Sequence, residues 1–153
     1  MDKTLSIIGQ QDIKDILISP TILIYLLEDA YKNGFKHFLI GTLSNFDYAI
    51  YDATVIVKKI YPDLKVSVLV NNHNAYLSSK ENPLYDFNYI YYPLQEKLLN
   101  DNIVLQGKYM IDNSDKLFCF FDRRFVLLDK LLNTAKDKNK EIYNLYEILN
   151  QTE

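Results

Sequence analysis

The sequence predicts an α/β fold, a Rossmann-like parallel sheet with helices on both faces. Three observations carry that expectation. The runs Leu5-Ser6-Ile7-Ile8, 35–40 and 65–70 are short and almost continuously apolar, as in strands buried on two faces. Stretches with apolar residues at helical spacing separate them. The connections are short, so the order β-α-β-α-β favours parallel neighbours joined by helical crossovers.

Leu5 to Ile8 reads as the first strand, stopping at Gly9. Pro20 opens a helix over 21–32, with Ile22, Leu23, Leu26, Leu27 and Ala30 on one face. Asn33-Gly34 ends it as a left-handed cap would. The strand 35–40 stops at Gly41. A second helix over 47–60 carries Ala49, Ile50, Ala53, Ile56, Val57 and Ile60 as its core stripe, until Tyr61-Pro62 breaks it. The third strand, 65–70, leads into a polar loop over 71–83. Around Pro93 we expect helix on one or both sides. A short helix over 107–113, a strand over 116–121, a helix over 127–138, a strand over 141–145 and a short terminal helix complete the reading. No repeat or linker interrupts it, so residues 1–153 are expected to form a single domain.

Composition narrows the function classes. A net charge of −3 argues against a broad basic face for duplex DNA. No apolar run is long enough for a membrane span, and the N-terminus lacks a signal-peptide layout. Cys119 is the single cysteine and lies in an apolar run, which fits a reducing compartment. A cytoplasmic protein is expected. His37 and His73 with one cysteine give no metal-ligand spacing, so neither metal nor cofactor is expected. Among 13 tyrosines, Tyr85, Tyr89, Tyr91 and Tyr92 cluster with Phe87. That segment suits base stacking, a homo-oligomer contact, or packing over the sheet.

Ligands of open parallel sheets bind beyond the carboxyl ends of the strands. The candidates are therefore the residues that follow each strand. They are Gly9, Gln10 and Gln11; Gly41, Thr42, Ser44, Asn45 and Asp47; His73 in the loop after the third strand; and Asp122, Arg123 and Arg124. Each glycine lets backbone approach a ligand or simply makes a tight turn. Asp47 suits a helix N-terminus or a ribose hydroxyl. The arginines offer forked donors to phosphate or pair with Asp122, Asp129 or solvent.

These turns resemble those of the SLOG superfamily, the Rossmann-like fold of the Lonely-Guy and Smf-type proteins, and within it the small YpsA-like group. The resemblance rests on Ile8-Gly9-Gln10-Gln11, on Phe38-Leu39-Ile40-Gly41 through Asn45-Phe46-Asp47, on Asp52, on Tyr61-Pro62, and on 107–122 with Met110-Ile111-Asp112-Asn113-Ser114-Asp115. It implies a nucleotide-type site and places Lys108 among its ligand-binding residues. Asp52 falls where the family's helix carboxylate stands. The departures are informative. The family's first His-Arg is Gln10-Gln11 here, and its last glycine-rich loop is Arg123-Arg124-Phe125-Val126-Leu127-Leu128. Glycine nests hold phosphate through backbone N–H groups, and side chains with β-carbons disfavour them.

The expected function is binding, and by extension sequestering, of a nucleotide or nucleotide-derived signalling molecule, with no catalytic residue. Two alternatives stand beside it. One is a nucleoside-monophosphate N-glycoside hydrolase of Lonely-Guy type, for which Asp129 is the nearest downstream carboxylate. The other is a ligand-free protein-interaction module.

Overall fold

A computed structural model describes residues 2–9, 18–42, 45–71, 86–93, 99–122, 124 and 126–149. The elements are β1 (Lys3–Gly9), α1 (Pro20–Lys32), β2 (Phe35–Ile40), α2 (Asn45–Ile60), β3 (Lys65–Val70) and β4 (Asn88–Tyr91). Then follow α3 (Leu99–Asp112), β5 (Lys116–Phe120), α4 (Val126–Asp137), β6 (Glu141–Asn144) and α5 (Leu145–Leu149). The six strands form one open sheet in the order β4-β3-β2-β1-β5-β6, and every neighbouring pair is parallel. The fold is therefore α/β and Rossmann-like. Strand order reverses between β1 and β5, which fixes the crevice where such sheets bind ligands.

The sheet is sandwiched between two apolar layers. On one face Leu5, Ile7, Phe38 and Ile40 meet Leu23 and Leu27 of α1 and Phe46, Ile50 and Val57 of α2. On the other, Ile8, Leu39, Leu69 and Cys119 meet Met110 and Ile111 of α3 and Leu128, Leu131 and Leu132 of α4. Strand alternation explains the split, since successive side chains leave opposite faces. Among the described residues, no helix is long and apolar enough to cross a membrane.

Four expectations are corrected. Residues 88–91 form a strand, where a helix beside Pro93 was expected. Among the described residues β4 is an edge strand paired only with β3, and Pro93 lies beyond its last residue. There its missing N–H interrupts no ladder, while Tyr92 N–H still donates to the Val70 carbonyl at 2.8 Å. The helix expected over 107–113 begins at Leu99, so Gly107 is interior. A β-carbon there would sit 2.6 Å from Leu131 of α4, so the glycine lets two helices pack closely. On α2 the buried side chains are Phe46, Ile50, Ala53 and Val57, whereas Ile56 and Ile60 are exposed. The stripe is rotated toward Phe46, which packs on Gly9 and Phe120 and lies at helical spacing from Ile50, Ala53 and Val57. On α1, Ile22 is exposed and Tyr31 is buried.

Candidate functional site at the carboxyl edge

At the reversal point Gly9 ends β1 and lies level with Phe120 of β5. A β-carbon on Gly9 would fall 2.4 Å from Cβ of Phe46. Phe46 in turn stacks on Phe120, with ring centroids 5.2 Å apart, and on Phe118 at 6.2 Å. The first turn of α2 is thus pressed onto the end of β1, which brings Asp47 beneath it. Asp47 is buried, and its Oδ1 accepts the Gly9 N–H at 3.3 Å.

Gly41, just past β2, is enclosed from two sides. A β-carbon there would lie 2.5 Å from Nε2 of Gln106 and 3.2 Å from Oδ2 of Asp47. Both glycines are therefore accounted for by side chains of the protein itself. Gln106 is buried on α3 and its Nε2 also reaches the Met110 sulfur at 3.9 Å, a weak acceptor. Thr42 donates to the Leu69 carbonyl at 2.9 Å, tying the β2 turn to β3.

Beyond β5 the chain is held by side-chain amide pairing. Asn144, at the end of β6, accepts the Phe121 N–H at 3.0 Å and donates to the Phe121 carbonyl at 2.9 Å. This reproduces one more step of the sheet ladder and fixes Asp122. The Asp122 carboxylate accepts the Arg124 backbone N–H at 3.1 Å, its Nε at 3.0 Å and its Nη2 at 2.5 Å. Tyr146 of α5 donates to the same carboxylate at 3.2 Å and meets Phe120 edge-on at 5.3 Å. The Arg124 guanidinium holds the Asp122 carboxyl down at about 2, against an ordinary 3.8. Asp122 raises Arg124 above its own ordinary value. The carboxylate is nearly covered, at 8% exposure, whereas the arginine side chain is 83% exposed.

The structure brings Gly9, Gly41, Thr42, Asp47, Asp122 and Arg124 to this edge. Arg124 pairs with Asp122, one of the partners expected for the arginines. Asn45 is the first residue of α2. Gln10, Gln11, Ser44, His73 and Arg123 lie outside the described residues. Lys108 is exposed on α3, two residues past the buried Gln106 and so about 200° round the helix. Asp52 is likewise exposed, about 140° round α2 from Asp47. The sequence placed Phe46 in the turn after β2 without a role for it, and did not point to Gln106, Asn144 or Tyr146. A signal existed for Asn144, a polar residue ending an apolar strand; none existed for Gln106.

Away from this edge, His37 bridges strands. Its Nε2 lies 2.8 Å from Ser67 Oγ and its Nδ1 3.3 Å from Thr4 Oγ1. Burial, with Lys65 adding, holds the imidazole below its ordinary value. Among the described residues no group of His, Cys, Asp and Glu is placed to hold a metal, and Cys119 is buried.

No family model and no curated protein matches the chain. Among solved structures it is similar to a probable mandelate racemase from Alicyclobacillus acidocaldarius, at 14% identity and a TM-score of 0.40. The match covers 94% of this chain and 42% of that one, so this chain spans less than half of its length.

Proposed function

We propose that the chain binds a nucleotide or nucleotide-derived signalling molecule at the carboxyl edge of β1 and β5, and holds it without chemistry. The observation that carries this reading is Arg124. Its guanidinium is oriented by a nearly buried carboxylate through Nε and Nη2, yet the side chain is 83% exposed. An arginine fixed in this way keeps further N–H donors for a phosphate or carboxylate at little ordering cost. Because Asp122 balances its charge, the donors act by direction more than by net attraction. The resemblance to the SLOG superfamily and the strand reversal beside Gly9 support the same location.

For the hydrolase reading a general acid must stay protonated near neutral pH, and Asp122, held ionised down to about 2, does not. Asp129, the nearest downstream carboxylate, lies in the first turn of α4. Asp47 already has one oxygen on the Gly9 N–H. A contact-surface reading is favoured by Tyr48 and Val126, 59% and 66% exposed in the first turns of α2 and α4. Tyr48 equally suits stacking on a nucleobase.

Thermal denaturation against nucleotides, cyclic dinucleotides and ADP-ribose derivatives tests the proposal. At least one should raise Tm through binding to the folded state and be recovered unchanged by chromatography. Silence across the panel, or free base released from a nucleoside monophosphate, overturns it.

A further inference from the structure

Toward the opposite, amino end of the sheet a polar row crosses four strands, and a cleft of about 440 Å³ opens on it. We propose that Ser67, with His37 as its base, is an acyl-accepting nucleophile toward small, neutral carboxylic esters. This site is separate from the carboxyl edge.

Register builds the row. Thr4 lies level with His37, His37 with Lys65, and Ser67 with Asn88. Residues two apart on a strand share a face, so Lys65 and Ser67 stand together on β3. His37 Nε2 lies 2.8 Å from Ser67 Oγ, and its Nδ1 3.3 Å from Thr4 Oγ1. With Nδ1–H donating to Thr4, Nε2 turns its lone pair to the Ser67 hydroxyl. A hydroxyl within hydrogen-bond reach of a base, itself oriented by a third group, is the arrangement that activates serine. Burial holds the imidazole below its ordinary value, which keeps it neutral near pH 7 and able to accept a proton.

The cleft gives the pair access. His37, Ser67, Lys65 and Asn88 all line it. Ser67, 4% exposed, forms its floor; His37 is half-buried, and Lys65 and Asn88 are exposed. A hydrogen bond that only ties strands together needs no cavity at its oxygen. Asn88 Nδ2 approaches Ser67 Oγ at 3.5 Å. With the Lys65 ammonium it offers donors where an oxyanion forms on the attacked carbonyl. Asp63 and Asp86, exposed residues of the same cleft, disfavour an anionic substrate. The volume, at the small end of ligand pockets, sets a small one.

In the step itself, Ser67 Oγ bonds to the ester carbonyl carbon while its proton passes to His37 Nε2. The bond from that carbon to the leaving oxygen then breaks, and the leaving oxygen takes the proton. Water attacks the acyl-serine by the same route, releasing the free acid and restoring Ser67.

The test uses p-nitrophenyl acetate on the full chain, quenched with acid, and peptide mass spectrometry to locate the acetyl group. Ser67 should be acetylated ahead of lysines and tyrosines, with a stoichiometric burst of p-nitrophenolate. Ser67→Ala should lose the burst, and His37→Gln should slow acetylation of Ser67 roughly hundredfold. Circular dichroism checks that both stay folded. Thr4→Val, which removes only the orienting oxygen, gives the same direction by a smaller factor if they do not. Acetyl groups on lysine or tyrosine with none on Ser67, or equal acetylation of Ser67 in His37→Gln, overturns the proposal.

Discussion

Arg124 turns back on Asp122, two residues earlier, and closes both a backbone and a side-chain bond onto one nearly buried carboxylate. The pair orients the guanidinium as a donor array at the end of β5. It also has a consequence for acid stability. The folded pKa of Asp122 is lowered from 3.8 to about 2, so its contribution is complete above the unfolded value and is lost as pH falls through the folded one. Arg124→Gln should leave the urea midpoint near pH 3 little different from that of the corresponding Asp122→Asn protein. At pH 7 it should lower the midpoint modestly, since the arginine is exposed and screened. Equal losses at pH 7 and pH 2 would contradict the assignment.

The two glycines of the edge should respond unequally to alanine. At Gly9 the new β-carbon meets Cβ, Cγ and Cδ1 of Phe46, none farther than 2.8 Å. Such overpacking costs about 1–3 kcal/mol. At Gly41 the nearest atom is the mobile end of Gln106, and rotation of that side chain keeps the cost under about 1 kcal/mol. Denaturant unfolding of Gly9→Ala and Gly41→Ala measures both. A larger loss at Gly41 would show that Gln106 cannot move.

Thr54 is wholly buried on α2, and among the described residues its hydroxyl has no hydrogen-bond partner. A buried polar group without a partner opposes folding. Thr54→Val keeps the shape and should leave stability unchanged or raise it by up to about 1 kcal/mol. A loss above that size in urea unfolding would mean the hydroxyl is engaged.

His37 sets a separate pH window. Its folded pKa lies below the ordinary 6.5, so the unfolded chain takes up the proton first. Stability is therefore full above about 6.5 and declines as pH falls from there toward the folded value. Urea midpoints at pH 7.5 and pH 5 should differ, and His37→Asn should shrink the difference. An undiminished difference in that variant assigns the effect elsewhere.

Much of the fold was legible because β1, β2 and β3 are nearly continuous apolar runs and Pro20, Gly34 and Pro62 mark helix ends. β4 was not, because Asn88-Tyr89-Ile90-Tyr91 is half exposed and its strand character comes from pairing with β3. The length of α3 was hidden by Gly107, whose reason is Leu131 on another helix. The site was legible in outline, since the residues after each strand are candidates by position alone. What fills the space beside them was not: Phe46 against Gly9, Gln106 against Gly41 and Asn144 on Phe121 are contacts made across 37, 65 and 23 residues of chain.

Titration calorimetry most directly tests the proposal that the carboxyl edge holds a nucleotide-type ligand through Arg124. The ligand that raises Tm most should bind the natural chain and bind Arg124→Gln roughly tenfold more weakly, with Lys3→Met at the opposite edge unaffected. Identical affinity for the natural chain and Arg124→Gln would contradict the account.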